Sequence, residues 1–484
     1  MQSALAAARL RFRPLVPVAA SLLGALVTFA VVDKYENGDK KILAAIVAVV
    51  GALAVLRWTK AAFVAWLVIV GSIFHERLVP LSFGTIRSDL GEALAFAVLG
   101  LTVVRWAMGD DRLRRPKLAL PFVVFFAAAV GGAAYASYLG YPRSIWLGPF
   151  KELMLYLLPL AAVALFRSDV DLDDLERWVL RICVAGSAIS LISAFTGVGS
   201  TNEEQGVVTL GVTSLANRLR PAVLHLLMLG VLLLIARCVH SGVTSRRVAG
   251  LTLFGTSIAL SFTRSTWVPM LIAIAVFVAL RPGRRIPLRG LRGGVTVTVV
   301  AALAFFAASG GLLGKDMKAV SARVASVGNS QVFQENSYQD RANENTIALN
   351  ALNGHELFGI GLGAPYGASV IEHDDITNRT LREPRRFIHN SYLGIWMWTG
   401  LLGLVAFALL ALGVIRFGIR THRLTGYPAV RAFAGACTIV ALMFEMSFQT
   451  DLFRPAFIGT LTCAVAFLVS GVVDRPDALP AHDA

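Results

Sequence analysis

Apolar residues in this chain come in long unbroken blocks, and polar residues are confined mostly to the short joints between them. Blocks of roughly 16–23 apolar residues bounded by charge have the length of a bilayer-crossing helix. They predict spans near residues 15–32, 42–57, 61–75, 89–106, 118–137, 150–166, 178–196, 215–237, 247–262, 266–280, 293–310, 390–415, 430–447 and 454–473. The expected fold is therefore all-α, a polytopic transmembrane helical bundle of about 12–14 spans, with residues 1–484 forming a single integral membrane domain. The amino-terminal "RLRFRPLVPVAASLLGALVTFAVV" has the charge order of a secretion signal but lacks a convincing small-x-small cleavage site, so a retained first helix is expected.

One hydrophilic stretch is long, residues 311–388, and it reads as a loop tied to the bundle. Within it, Tyr338, Ala342, Asn345, Leu349 and Leu352 recur at spacings of four and three. That spacing predicts an amphipathic helix lying against the bundle and ending near Asn353 and Gly354. The next segment, "GIGLG" from Gly359 to Gly363, imitates a phosphate loop, but no strand precedes it. The expectation there is a flexible turn returning the chain to the membrane.

Composition agrees with the block pattern: 56% of residues are hydrophobic, 15% are charged, and the mean hydropathy is +0.67. A soluble domain of this length is excluded. The net charge of +15 raises nucleic acid as a partner, but the basic residues cluster in short joints such as "RPGRRIPLRGLR". That is the distribution expected of cytoplasmic loops. With Arg9, Arg11 and Arg13 cytoplasmic, alternation puts Arg57, the 105–117 loop, Arg246 with Arg247, the 281–292 loop and Arg416 to Arg423 on the same side. The 311–388 loop, the turn "SFTRSTW" and the loop ending in "NRLRP" then face outward. Cys183, Cys238, Cys437 and Cys463 fall within or at the ends of spans and show no metal-ligand spacing, so they read as core residues.

Outward-facing chemistry gathers around four features. Arg218 and Arg220 precede Pro221, read as the start of the 215–237 helix; Arg264 precedes Ser265 and Thr266 at the start of the 266–280 helix. Arg341 lies on the loop helix beside Tyr338, and His389 with Asn390 opens the span from 390. Helix amino termini attract anions, and guanidinium forks match phosphate oxygens. His389 differs from the arginines in accepting a proton near neutral pH. The set suits a lipid-borne diphosphate and a base that deprotonates an acceptor hydroxyl, with no metal required because arginines supply the charge. His225, Glu92, Glu152 and Glu445 are further possible network members, whereas Arg385 and Arg386 read as headgroup contacts.

Three of these segments also carry a family resemblance. "SFTRSTWVP", "DRANENTIALNALNGHELFGIGLG" and "HNSYLGIWMWTGLLGLVAFALL", together spanning 261–412, resemble the O-antigen ligase (WaaL) and Wzy-polymerase superfamily of bacterial envelope glycosyltransferases. Thr263 stands where that pattern more often has serine, and His355 with Glu356 where it often has proline. The resemblance implies a GT-C-like fold in the bacterial inner (plasma) membrane with its site facing the periplasm or exterior. It implies metal-independent transfer of a glycan from an undecaprenyl or other polyprenyl diphosphate to an acceptor hydroxyl, without a cofactor. It makes His389 the base, places Arg264 and Arg341 on the diphosphate, and leaves Arg218 and Arg220 as alternatives for an upstream arginine. The acceptor, whether glycan, lipid or protein, and the choice between ligase and polymerase stay open. The rival class is a transporter or flippase of an anionic lipid-linked solute, which predicts ionisable residues along a path through the bilayer midplane.

Overall fold

The computed structural model describes residues 59–70, 81–83, 86–88, 90–107, 119–196, 207–209, 217–219, 223–261, 264–282, 336–374, 379–422, 424–449 and 454–473. The expected spans at 15–32, 42–57 and 293–310 lie outside these residues. Chain contacts divide into Met1–Phe63 and Val64–Ala484, and the second unit carries every element from residue 81 onward.

The described helices begin with α1 (Thr59–Val70), α2 (Leu90–Ala107) and α3 (Ala119–Tyr138). The segment Arg143–Leu165 is one apolar run folded as α4 (Arg143–Met154), a 3-10 turn (Leu155–Leu157) and α5 (Leu158–Leu165). The break has a covalent cause: Pro159 has no N–H for the Leu155 carbonyl, and its ring crowds the preceding turn. Then come α6 (Asp169–Thr196), α7 (Leu224–Ser241), α8 (Ser245–Leu260), α9 (Arg264–Leu280) and the loop helix α10 (Asn336–Leu352). The carboxyl-terminal helices are α11 (Ser391–Thr421), α12 (Gly426–Glu445) and α13 (Pro455–Val473). Arg143–Leu165, α3, α7, α11 and α12 are each long and apolar enough to cross a membrane. This is a polytopic helical membrane protein, as the block pattern predicts.

Short antiparallel hairpins decorate the helices: β1 (Leu81–Phe83) with β2 (Ile86–Ser88), β3 (Val207–Thr209) with β4 (Asn217–Leu219), and β5 (Gly367–Asp374) with β6 (Arg379–Arg385). The second hairpin corrects one expectation. Arg218 pairs in register with Val208, and the helix begins only at Leu224, so Pro221 is not its first residue. All four cysteines are free and buried, as expected of core residues.

Helix α12 is the axis of the described core. It packs against α7, α9, α11 and α13, and its ends carry two separate charged groups. Near its start, the buried Arg431 reaches Asp173 and lies 3.4 Å from Asp169 and 3.6 Å from Glu176. Glu176 also accepts from Arg237 Nε at 2.6 Å and from the Tyr427 hydroxyl. At its other end, the fully buried Glu445 accepts from Thr266 Oγ1 at 2.6 Å, and His225 Nε2 stands 3.7 Å away. Residues 432–444 between them contain no ionisable side chain other than Cys437.

Candidate functional site

The loop "GIGLG" is the hinge pin of the site's framework. In α11 the backbone breaks at Gly400, where φ is 65°. In an unbroken helix the Leu401 N–H would bond the Met397 carbonyl. Here Leu401 N donates to Leu357 O at 3.1 Å, and the Met397 carbonyl accepts Ile360 N at 2.6 Å. Leu362 N donates to Gly132 O on α3 at 3.1 Å. Gly359, Gly361 and Gly363 all have positive φ, and a Cβ on Gly359 would stand 2.3 Å from the Met397 carbonyl oxygen. Gly363 approaches the Ile145 carbonyl, which Pro149 leaves without a helical N–H. The flexible turn expected here is instead a buried clasp between α3, α4 and α11, and several of its amides are committed to protein carbonyls.

The same clasp fixes the exit of α10 relative to the start of α11. Asn390 is the N-cap of α11: its Oδ1 accepts from Leu393 N at 3.2 Å. His389 therefore immediately precedes a capped helix, and its side chain is 52% exposed. Below it, Ser391 N donates to Met446 O at 2.8 Å, and Ser391 Oγ donates to Gln449 O. Gln449 Nε2 in turn reaches Ser265 Oγ and lies 3.4 Å from Glu445 Oε1. A continuous chain of bonds thus joins the start of α11 to the first turn of α9, at the end of the bundle where His225 and Glu445 meet. The starts of the "SFTRST" and "HN" helices are thus linked through Ser391, Gln449 and Ser265. His225 and Glu445, named from sequence without a role, form its floor, while Glu92 pairs instead with Lys151 at 2.8 Å.

His389 has a partner that sequence reasoning passed over. Glu344 of α10 receives two hydrogen bonds on one oxygen: the His389 backbone N–H at 3.0 Å and ring Nδ1 at 2.9 Å, both to Oε2. Its other oxygen lies 3.1 Å from the Tyr366 hydroxyl, which also donates to Phe387 O at 2.9 Å. Burial alone would push the Glu344 carboxyl up. The hydrogen bonds from the His389 ring and backbone, the charge of His389 and the Tyr366 hydroxyl outweigh it and hold the carboxyl below its ordinary value. Burial, then the neighbouring Glu344 charge, push the Tyr366 phenol well up, so its hydroxyl keeps its proton. An ionised carboxylate is an acceptor only, so Nδ1 carries a hydrogen, and whenever the ring holds a single hydrogen its lone pair is at Nε2.

The buried face of α10 differs from the predicted stripe. Glu344, Ala348 and Leu352 are buried, with Arg341 and Asn345 half-buried beside them, while Ala342 and Leu349 are exposed. The helix turns toward the bundle the carboxylate that contacts His389, and Leu349 goes to the outside. Arg341 lies one turn before Glu344, on this inner face. Tyr338 lies in the first turn of α10 and Arg264 opens α9; their side chains, like that of Arg218, lie outside the described residues, as does Arg220 entirely. Arg385 ends β6 at the root of the third hairpin, where its carbonyl accepts from Tyr366 N at 3.0 Å. Its charge is felt at the Tyr366 hydroxyl. Arg386 is half-buried beside it.

Fold and site together define a polytopic membrane protein whose histidine–carboxylate pair lies where a long loop docks on one end of the helices. Residues 249–408 match the Wzy_C family model, described as O-antigen ligase. That segment runs from α8 to the middle of α11 and contains Arg264, Arg341, Glu344, Tyr366 and His389; Arg218 and Arg220 precede it. The match supports the resemblance to the O-antigen ligase and Wzy-like superfamily, a membrane glycan-ligase role and chemistry of the glycosyltransferase type. No curated protein matches the chain.

Proposed function

We propose that this protein transfers a glycan from a polyprenyl diphosphate, undecaprenyl diphosphate being the expected carrier, to an acceptor hydroxyl at the extracytoplasmic face of the bacterial inner membrane. His389 Nε2 takes the hydroxyl proton as the acceptor oxygen attacks the anomeric carbon. The bond from that carbon to the diphosphate breaks, and the diphosphate leaves with the electron pair. Arg264 and Arg341, with Arg218 or Arg220, neutralise the charge that develops on it. The observation that carries the reading is the Glu344–His389 contact, which leaves the half-exposed ring with Nε2 as its acceptor.

Transport of an anionic lipid-linked solute is the weaker reading. The Arg431 and Glu445 groups are fourteen residues apart on α12, about 21 Å at 1.5 Å per residue, with no acidic or basic side chain on that helix between them.

Transfer in vitro from a polyprenyl-diphosphate glycan, with wild type, His389→Ala and Arg264→Ala compared with and without chelator, tests the proposal. Both variants are expected to lose transfer, and chelator to leave the wild type unchanged. Undiminished transfer by His389→Ala removes the base, and solute uptake into vesicles that survives this substitution favours the transporter. Glycan moved off the carrier identifies a ligase, and lipid-linked products of growing length identify a polymerase.

A further inference from the structure

The geometry points to Glu344 as the positioning residue of the base: it fixes the tautomer and direction of the His389 ring and stabilises the imidazolium formed when the proton is taken. This rests on the proposed role of His389. Three observations meet in it. Glu344 Oε2 bridges the backbone N–H and ring Nδ1 of one residue, so the ring is held at two points relative to its own main chain. Such a clamp leaves the imidazole little freedom to rotate Nδ1 outward and fixes Nε2 on the exposed side. Glu344 is itself buried, at 7% exposure, in a chain where a carboxylate on a long hydrophilic loop has solvent freely available. Burial of a charge is tolerated only with partners of this kind. Tyr366 then orders the carboxylate from behind, and Ile347 of the same helix packs on Gly367 at the root of the hairpin.

The hydroxyl of Tyr366 offers a way to separate charge from geometry. It has one hydrogen for two acceptors, Glu344 Oε1 and Phe387 O. In Glu344→Gln the amide oxygen takes the place of Oε2 and still accepts from His389. The amide nitrogen takes the place of Oε1 and donates to the Tyr366 oxygen, whose hydrogen then goes to Phe387 O. Every hydrogen bond is kept and only the negative charge is lost. Glu344→Ala removes both charge and clamp.

Among the described residues, the other charged or titratable groups on the elements that meet at His389 include Arg341 and Asp340 on α10, Tyr366, Arg385 and Arg386 at the hairpin root, Tyr392 on α11, and Glu445 with His225 beneath Ser391. Glu344 is the one whose carboxylate contacts the ring among the described residues. Removal of its charge makes the protonated ring less favourable, so the acid limb of the rate–pH profile moves to lower pH.

The test measures kcat, donor KM and the pH profile of transfer for wild type, Glu344→Gln, Glu344→Ala, His389→Ala and the His389→Ala/Glu344→Ala double variant. Each is purified as the full chain, and its thermal midpoint is recorded. Glu344→Ala is expected to lower kcat by about 10²-fold with donor KM within about twofold of wild type. Glu344→Gln is expected to lower kcat by about 3–10-fold and to shift the acid limb to lower pH, the signature a purely structural residue lacks. In the His389→Ala background, Glu344→Ala is expected to cost nothing more, because the two act as one unit. Unchanged kcat and acid limb in Glu344→Gln, together with a full additional loss in the double variant, overturn the positioning role while His389 stays the base. Full activity of His389→Ala instead overturns the reading on which the role rests.

Discussion

At the scale of single residues, the informative contrast is between what His389 does chemically and what its neighbours do for the helix start. His389→Asn leaves the Asn390 cap and the Ser391 bonds in place. It is expected to lower glycan transfer by about 10²–10⁴-fold, the range for loss of a general base, with unchanged membrane abundance in an immunoblot. Asn390→Ala is the converse: it removes one cap bond, costs about 1 kcal/mol, and is expected to lower the thermal midpoint with a smaller effect on rate. Glu344 gives a pH signature of its own. Its folded-state value lies below that of an unfolded glutamate, so its contribution to docking α10 is complete above about pH 4.3 and is lost as pH falls through the folded value. Protection of residues 336–352 from proteolysis or hydrogen exchange is expected to fall over that acid range in wild type and to be insensitive to it in Glu344→Gln. His389 was legible in the sequence because a titratable group beside an apolar run is conspicuous. Glu344 was not, because a glutamate in "DRANENT" looks like one more solvated charge until the fold brings a residue 45 positions away onto it.

At the scale of elements, periodicity found α10 and its end near Gly354, yet misassigned its inner face. An apolar stripe is a guide to burial where the partner is apolar; here the partner is a polar site, and Glu344 with the small Ala348 faces it while Leu349 is left outside. The glycines of "GIGLG" were visible as punctuation, but their purpose depends on the break in α11, which no local signal announces. Gly400→Ala puts a Cβ 2.1 Å from the Leu357 carbonyl oxygen at a positive φ. A side chain in this nearly glycine-only backbone conformation costs about 1–3 kcal/mol, and the crowding adds to it. A lower thermal midpoint and lost transfer are expected, since the break holds both the clasp and the helix beginning just after His389. Retention of wild-type stability in a detergent melting assay contradicts this account of the clasp.

At the scale of the whole molecule, most described spans were readable from the length of apolar blocks, because a bilayer sets that length. Irregular joints were not: the 3-10 turn before Pro159 and the hairpin that takes Arg218 out of a helix start lie inside or beside apolar blocks whose hydropathy does not register them. The Arg431 group at the opposite end was invisible because Asp169, Asp173 and Glu176 come from another helix. Arg431→Ala leaves Glu176 buried with less compensation and is expected to destabilise the fold by about 3–5 kcal/mol. Donor KM of the protein that remains folded is expected to stay unchanged, as the substitution is far from His389.

The site is assembled from two separate parts of the chain: the ring stands at the mouth of α11, and the carboxylate that aims it arrives on the docked loop helix. Neither part is complete alone: the geometry at the ring exists only with α10 docked, so the proposed site is one that the chain finishes building last, when residues 45 positions apart meet.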